Sequence, residues 1–189
     1  MSQPNLVLIG FMGTGKSTIG RECAEKLGFA FRDTDACIER RAERSIAEIF
    51  EHQGEPVFRG MESATVRHLA NQPDQVISTG GGVVLKSANI ALLRRSGIVI
   101  LLWAKAEEIA KRCSTRRTRP LLTNVEDTLA HVTKMLDQRE EYYFSAAHAV
   151  VDTTGLGRDR SVDIVLSEYR RLAEIWPKIP PLESPAKHA

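Results

Sequence analysis

Eight consecutive residues, Gly10-Phe11-Met12-Gly13-Thr14-Gly15-Lys16-Ser17, narrow the possible folds of this chain more than any other stretch. They satisfy G-x-x-x-x-G-K-[ST]. They also stand where that pattern carries meaning, after the apolar run at 6–9 and at the start of a helical periodicity that Gly28 stops. A strand, a glycine turn and a helix in that order wrap successive backbone N–H groups around phosphate oxygens, with the positive end of the helix dipole behind them. Gly13, Thr14, Gly15, Lys16, Ser17 and Thr18 are therefore expected to cradle the phosphates of a nucleotide, with Lys16 bridging the two terminal ones. The Ser17 hydroxyl is placed to coordinate Mg²⁺. The plainer reading is a glycine turn with an exposed lysine, and it makes the flanking strand and helix a coincidence.

Further apolar runs at 29–32, 75–79, 98–103 and 149–152 alternate with helical segments at about 36–44, 46–52, 56–70, 87–95, 105–113, 125–143 and 161–175. Parallel strands need crossover connections, and those place helices over both faces of a sheet. The pattern predicts a three-layer α/β/α fold around a five-stranded parallel sheet. With the phosphate loop, the expectation is a P-loop NTPase in a single domain over residues 1–175. With 189 residues, 42% of them hydrophobic and 26% charged, the chain can enclose one core but hardly two. Residues 176–189 include Pro177, Pro180, Pro181 and Pro185 and are expected to be extended or disordered.

A formal charge of +2 gives no general affinity for nucleic acid. Cys23, Cys37 and Cys113 form no CxxC pair, which argues against a zinc site or disulfide framework and for a reducing, cytoplasmic setting. The first residues lack a signal-peptide pattern, and the longest apolar run, 98–103, is too short to span a bilayer.

A phosphate loop alone does not separate kinases from GTPases or motors. Val150-Val151-Asp152-Thr153-Thr154-Gly155 imitates a GTPase DxxG, but it comes late and no NKxD accompanies it. Other residues point elsewhere. Asp33 and Asp35 flank a strand-to-helix junction, where carboxylates either cap the helix or divide labour, one holding a metal-bound water and one accepting a proton. Glu55, Arg59 and Glu62 share a helical face, as a solvated ion-pair ladder or as an arginine fork for a carboxylate held by glutamates. Gly80, Gly81 and Gly82 follow a strand at the end where ligands of open α/β sheets bind. Arg112, Arg116, Arg117 and Arg119 crowd a polar stretch that reads as a solvated face, an anion or nucleic-acid patch, or a lid over a bound nucleotide.

Taken with Arg119-Pro120-Leu121-Leu122 and with Arg139 near Tyr143, these motifs resemble the shikimate kinase family in order and approximate spacing, over roughly residues 6–152. The resemblance implies a nucleoside monophosphate kinase-like fold, with residues 1–175 as a single P-loop kinase domain, and transfer of the γ-phosphoryl of ATP to the 3-hydroxyl of shikimate, a step toward chorismate and aromatic amino acids, with Mg²⁺ as cofactor. It implies that Asp33 is the metal-side carboxylate, acting through water, and that Asp35 orients the hydroxyl and serves as base. Arg59 and Arg139 would clamp the shikimate carboxylate, Gly80, Gly81 and Gly82 would approach the substrate, and Ser78 would lie near the metal shell. Arg119 would be the lid arginine and Arg112 an adenine-side contact, with a lid over about 112–124 and substrate-binding helices over about 34–62, and Gly155 to Arg158 would form a nucleotide-side segment less diagnostic than the motifs before it. The expected partners are ATP and shikimate, with no nucleic acid or membrane, and the expected state is a monomer. Glu140-Glu141 depart from the family pattern beside Arg139 and predict a changed KM rather than a changed reaction. Two other readings are a kinase for another acceptor, such as gluconate or a nucleoside monophosphate, and an ATP-binding regulatory protein without transfer. The latter should lack Lys16, Asp35 or Arg119, yet all three are present.

Overall fold

Strand β1, Asn5–Ile9, is buried along its whole length, and its side chains alternate between two cores. Val7 and Ile9 enter one core with Ile77, Val99 and Leu101; Leu6 and Leu8 enter the other with Val76, Ile98, Ile100 and Leu102. Burial on both faces explains why these strands read as continuous apolar runs instead of alternating ones. The computed structural model describes residues 3–114 and 128–176. Among them, β2 (Ala30–Asp33), β3 (Gln75–Ser78), β4 (Gly97–Trp103) and β5 (Ala149–Asp152) join β1 in an all-parallel sheet of order β2-β3-β1-β4-β5.

One face is covered by α1 (Lys16–Leu27) and α8 (Arg158–Ala173), through Ile19, Cys23, Val165, Leu166 and Tyr169. The other is covered by α3 (Ile46–Ala70), α4 (Ser87–Ser96), α5 (Ala106–Ser114), α6 (Thr128–Asp137) and α7 (Glu140–Ala146). The three layers and five parallel strands are those expected. Because β1 lies between β3 and β4, chain direction diverges at its carboxyl end, and the phosphate loop sits in that crevice. A satellite cluster of Ile38, Ile49 and Phe58 binds α2 (Thr34–Ala42) to the first half of α3.

The helices expected at 46–52 and 56–70 are two limbs of α3 meeting at Gly54, whose φ of 81° and ψ of 169° belong to a region that essentially only glycine occupies. Ser45 starts α3 with a capping box, accepting from the Glu48 N–H while the Glu48 carboxylate accepts from the Ser45 N–H. The single helix expected over 125–143 is a correction: α6 and α7 are separate, and the chain turns at Arg139 (φ −120°, ψ −8°). Leu136 and Tyr143 stand seven residues apart, so an unbroken helix would bury both as well, and apolar periodicity does not reveal the break. Residues 125–127, the lid residues 115–124 and the proline-rich stretch 177–189 lie outside the described residues. Among those described, no helix is long and apolar enough to cross a membrane.

His148 precedes β5 and is 6% exposed, with Nδ1 accepting from the Val99 N–H at 2.9 Å. Burial, and secondarily the Arg94 charge, lower its pKa from 6.5 to about 4. The folded state thus holds a neutral imidazole that the unfolded chain protonates below pH 6.5. Stability is expected to be unaffected above that pH and to fall, by on the order of 3 kcal/mol, as pH drops from 6.5 to 4. His148→Asn keeps an acceptor near the Nδ1 position, and urea titrations of this variant should show a flatter pH dependence over that window.

Candidate active site

The phosphate loop closes on itself around Lys16. Its Nζ donates to the Gly10 and Phe11 carbonyls at 2.8 Å each, and the residue is 8% exposed. Thr14 Oγ1 braces the turn by donating to the Phe11 carbonyl at 2.9 Å. Ser17 and Thr18 begin α1 exposed, on the wall of a cavity of about 960 Å³. That volume is within the range of small-molecule sites.

Asp33 ends β2 beside Ser78 at the end of β3, the two being register partners. Asp33 Oδ1 caps α2, accepting from the Asp35 and Ala36 N–H groups at 3.1 and 3.3 Å. Its Oδ2 accepts from the Ser17 hydroxyl at 2.7 Å and the Ser78 hydroxyl at 3.0 Å. Capping and a metal-side role are therefore compatible, because they use different oxygens. A carboxylate and two hydroxyls within hydrogen-bonding reach, at the mouth of a phosphate loop, form an all-oxygen donor set of the hardness Mg²⁺ takes.

Asp35 lies one residue into α2, and a Cβ built on Gly80 would fall 2.6 Å from its Oδ1 and 3.3 Å from Glu62 Oε1. The missing side chain at Gly80 is what lets these carboxylates converge. Burial first, and the neighbouring Asp33 charge second, raise the Asp35 pKa above 3.8, while Lys16 opposes them. A carboxylate held in that state is a better proton acceptor than a solvated one. Thr34 Oγ1 accepts from the Gly80 N–H at 2.9 Å, tying the two motifs together.

Arg59 rises from α3 between two glutamates. Its Nη1 donates to both Glu62 oxygens at 3.0 and 3.2 Å, and its Nη2 and Nε donate to Glu55 Oε1 at 2.9 and 3.1 Å. Glu62 is 1% exposed, so its half of the fork is no solvated ladder, while Glu55 holds the other side of the guanidinium from an exposed position. Burial works against the Arg59 charge, but Glu62 and Glu55 outweigh it and its pKa is raised. A side chain at Gly82 would collide with this guanidinium. Arg139 lines the same cavity from the turn before α7, where Tyr143 is buried and donates to the Gly81 carbonyl at 2.6 Å. Glu140 and Glu141 are exposed in the first turn of α7, favourable for the helix dipole, and are not among the cavity-lining residues.

On the β4 and β5 side, Arg112 Nη2 donates to the Thr153 carbonyl at 2.9 Å and Nη1 approaches the Gly13 carbonyl at 3.4 Å. The structure thus brings Lys16, Ser17, Thr18, Asp33, Asp35, Arg59, Gly80, Gly81, Gly82, Arg112 and Arg139 to one cavity, along with Gly13, Thr14 and Gly15. Arg116, Arg117 and Arg119 lie outside the described residues. The sequence assigns no role to Thr34 or Thr153, and marks Arg158 only as the end of a weakly diagnostic nucleotide-side segment; all three are part of this neighbourhood. The signal for Thr34 is its position inside Asp33-Thr34-Asp35; Thr153 lies inside the stretch that imitates a GTPase DxxG, which hides its place beside Arg112.

The family model described as shikimate kinase matches residues 12–170. The chain is 46% identical over 167 residues to the shikimate kinase of Caldanaerobacter subterraneus subsp. tengcongensis, covering 88% of this chain and 94% of that one. It is 42% identical over 162 residues to that of Pelotomaculum thermopropionicum, covering 86% and 93%. Among solved structures, shikimate kinase from Acinetobacter baumannii in complex with shikimate superposes with a TM-score of 0.83 at 35% identity, over 89% of this chain and 94% of that one.

Proposed function

The chain belongs to the shikimate kinase family, and from that premise we propose that it transfers the γ-phosphoryl of ATP to the 3-hydroxyl of shikimate, giving shikimate 3-phosphate and ADP. The observation that carries this reading is one cavity with a phosphate loop on one side and the Arg59 fork on the other, joined by Asp35 and Gly80. Gly13, Thr14, Gly15, Lys16, Ser17 and Thr18 hold the phosphates. Lys16 leaves the Gly10 and Phe11 carbonyls to bridge the β- and γ-phosphoryl groups and counter charge on the leaving oxygen. Asp35 accepts the proton of the attacking hydroxyl while the new O–P bond forms and the bond to ADP breaks with its electron pair. Arg59 and Arg139 hold the acid's carboxylate, which fixes the hydroxyl in line with the phosphorus.

The Ser17 and Ser78 hydroxyls and Asp33, through water, would hold Mg²⁺, which when bound neutralises charge on the two terminal phosphates. Arg112 belongs to the adenine side, and Arg119 is assigned to the lid by resemblance. One chain lines the whole cavity, which favours a monomer. Free thiols at Cys23, Cys37 and Cys113 suit a reducing cytoplasm.

The test is ADP release, coupled to a reporter, with shikimate, gluconate and nucleoside monophosphates as acceptors. Turnover is expected with shikimate, and its absence with shikimate under Mg²⁺-ATP rejects the reading. Arg59→Ala should raise KM for shikimate by about 10- to 100-fold, the weight of hydrogen bonds to a charged partner. The KM for ATP should stay near wild type, because Arg59 lies on the acceptor side.

A further inference from the structure

Gly80, Gly81, Gly82 and Val83 form a tight turn, closed by the Val83 N–H donating to the Gly80 carbonyl at 3.3 Å. Its third residue, Gly82, has φ −95° and ψ −2°, the type I values for that position. A type II turn has the same ends and differs by rotation of the peptide plane between the two central residues, which carries φ of the third residue to about +80°. A side chain disfavours that value, but Gly82 has none, and neither has Gly81 beside it. Glycines at both central positions leave the Gly81–Gly82 peptide free to flip, so its orientation must be chosen from outside the turn.

Tyr143 makes that choice. It is fully buried, and its hydroxyl donates to the Gly81 carbonyl at 2.6 Å. Burial pushes the pKa of this hydroxyl up to about 12, with the Arg139 charge opposing, so the donor proton is in place at any working pH. In a trans peptide the N–H lies on the edge opposite the carbonyl, and a carbonyl fixed on Tyr143 therefore fixes the Gly82 N–H facing away from it. Gly82 is buried and lines the cavity, and among the described residues nothing accepts from this N–H. A buried donor without an acceptor is one that a ligand completes. The flipped plane would instead turn a carbonyl oxygen toward an anionic acid. We propose that Tyr143 is a positioning residue for the acceptor: its hydroxyl locks the Gly80–Val83 turn in the type I form and so holds the Gly82 N–H toward the acid. The inference rests on the acceptor reading above and adds a third donor to the Arg59 and Arg139 clamp.

Tyr143→Phe removes the lock and keeps the ring in the core. KM for shikimate should rise about fivefold, because fewer turns stay in the competent form once one buried hydrogen bond is lost, and KM for ATP should not change. Amide NMR of the full chain reads the turn itself, with no substrate present. The Gly82 and Val83 amides should each give one sharp resonance in the wild type. In Tyr143→Phe they should show μs–ms exchange confined to this turn, which saturating shikimate quenches. A wild type that turns over no shikimate would reject the acceptor reading alone, since the exchange is observed without it. The Arg139 side chain also reaches the Tyr143 hydroxyl, and a double-mutant cycle in kcat/KM with Arg139→Ala separates the two routes. Action through the turn predicts additive losses. A Tyr143→Phe substitution that costs nothing once Arg139 is gone would make the hydroxyl a brace for Arg139 and overturn the proposal. Unchanged KM for shikimate in a folded Tyr143→Phe overturns it too. So does exchange at Gly82 already present in the wild type, a result that does not depend on the variant folding.

Discussion

Asp35→Asn is expected to lower kcat by about 10²- to 10⁴-fold, the usual contribution of a positioned general base. The substitution should not unfold the protein. Burial and the Asp33 charge already push the Asp35 carboxyl toward its neutral form, so a neutral amide removes an unfavourable charge. At neutral pH, the variant should melt at the wild-type temperature or slightly above it, which separates lost chemistry from lost structure. Retention of a group that costs stability is what a site selected for reactivity shows. The raised pKa also fixes the sign of the pH dependence. Asp35 serves as base only when ionised, so kcat/KM falls as pH drops through its pKa, and the acid limb should lie above the ordinary carboxylate value of 3.8.

Lys16→Met should reduce kcat by about 10³-fold or more, because a preorganised cation at the transferring phosphoryl is among the larger electrostatic contributions to such reactions. The thioether also leaves the Gly10 and Phe11 carbonyls without the donor they have in the wild type, so some loss of stability is expected as well. Thermal melting with and without Mg²⁺-ATP distinguishes the two effects. The wild type should gain melting temperature on adding nucleotide, and Lys16→Met should gain much less, whatever its starting value. Full transfer activity in this variant would remove Lys16 from the chemistry.

Much of this is legible in the sequence, for identifiable reasons. The phosphate loop announced itself because its glycines, lysine and serine are each tied to a backbone or charge requirement, and its strand and helix were visible on either side. The parallel sheet followed from apolar strands that do not alternate. The strand order did not, because crossovers of similar length can carry a strand to either side of β1. The triple glycine was legible as close approach. What approaches was not: the Asp35 and Glu62 carboxylates at Gly80 and the Arg59 guanidinium at Gly82 come from elements far away in sequence.

The break at Arg139 was hidden by apolar spacing that suits a continuous helix equally well. Its consequence is that Arg139 reaches the cavity while Glu140 and Glu141 stay exposed, so the departure from the family pattern falls outside the binding surface. The spacing of Glu55, Arg59 and Glu62 leaves a solvated ladder and a held fork both open, because helical spacing reports a shared face but not its burial. Arg158 carries only a weak nucleotide-side signal because an arginine at a helix start is common, and the fold is what brings it to the cavity that Arg112 also lines.

The central claim is that Arg59 grips the carboxylate of an acid whose hydroxyl faces the phosphate loop. It is tested most directly by a cycle in kcat/KM that compares wild type and Arg59→Ala on shikimate and on its methyl ester. If Arg59 binds the carboxylate, the substitution should cost about 2–3 kcal/mol with shikimate and nearly nothing with the ester, which has no charge to grip. An equal loss on both substrates would mean that Arg59 acts on something other than the carboxylate.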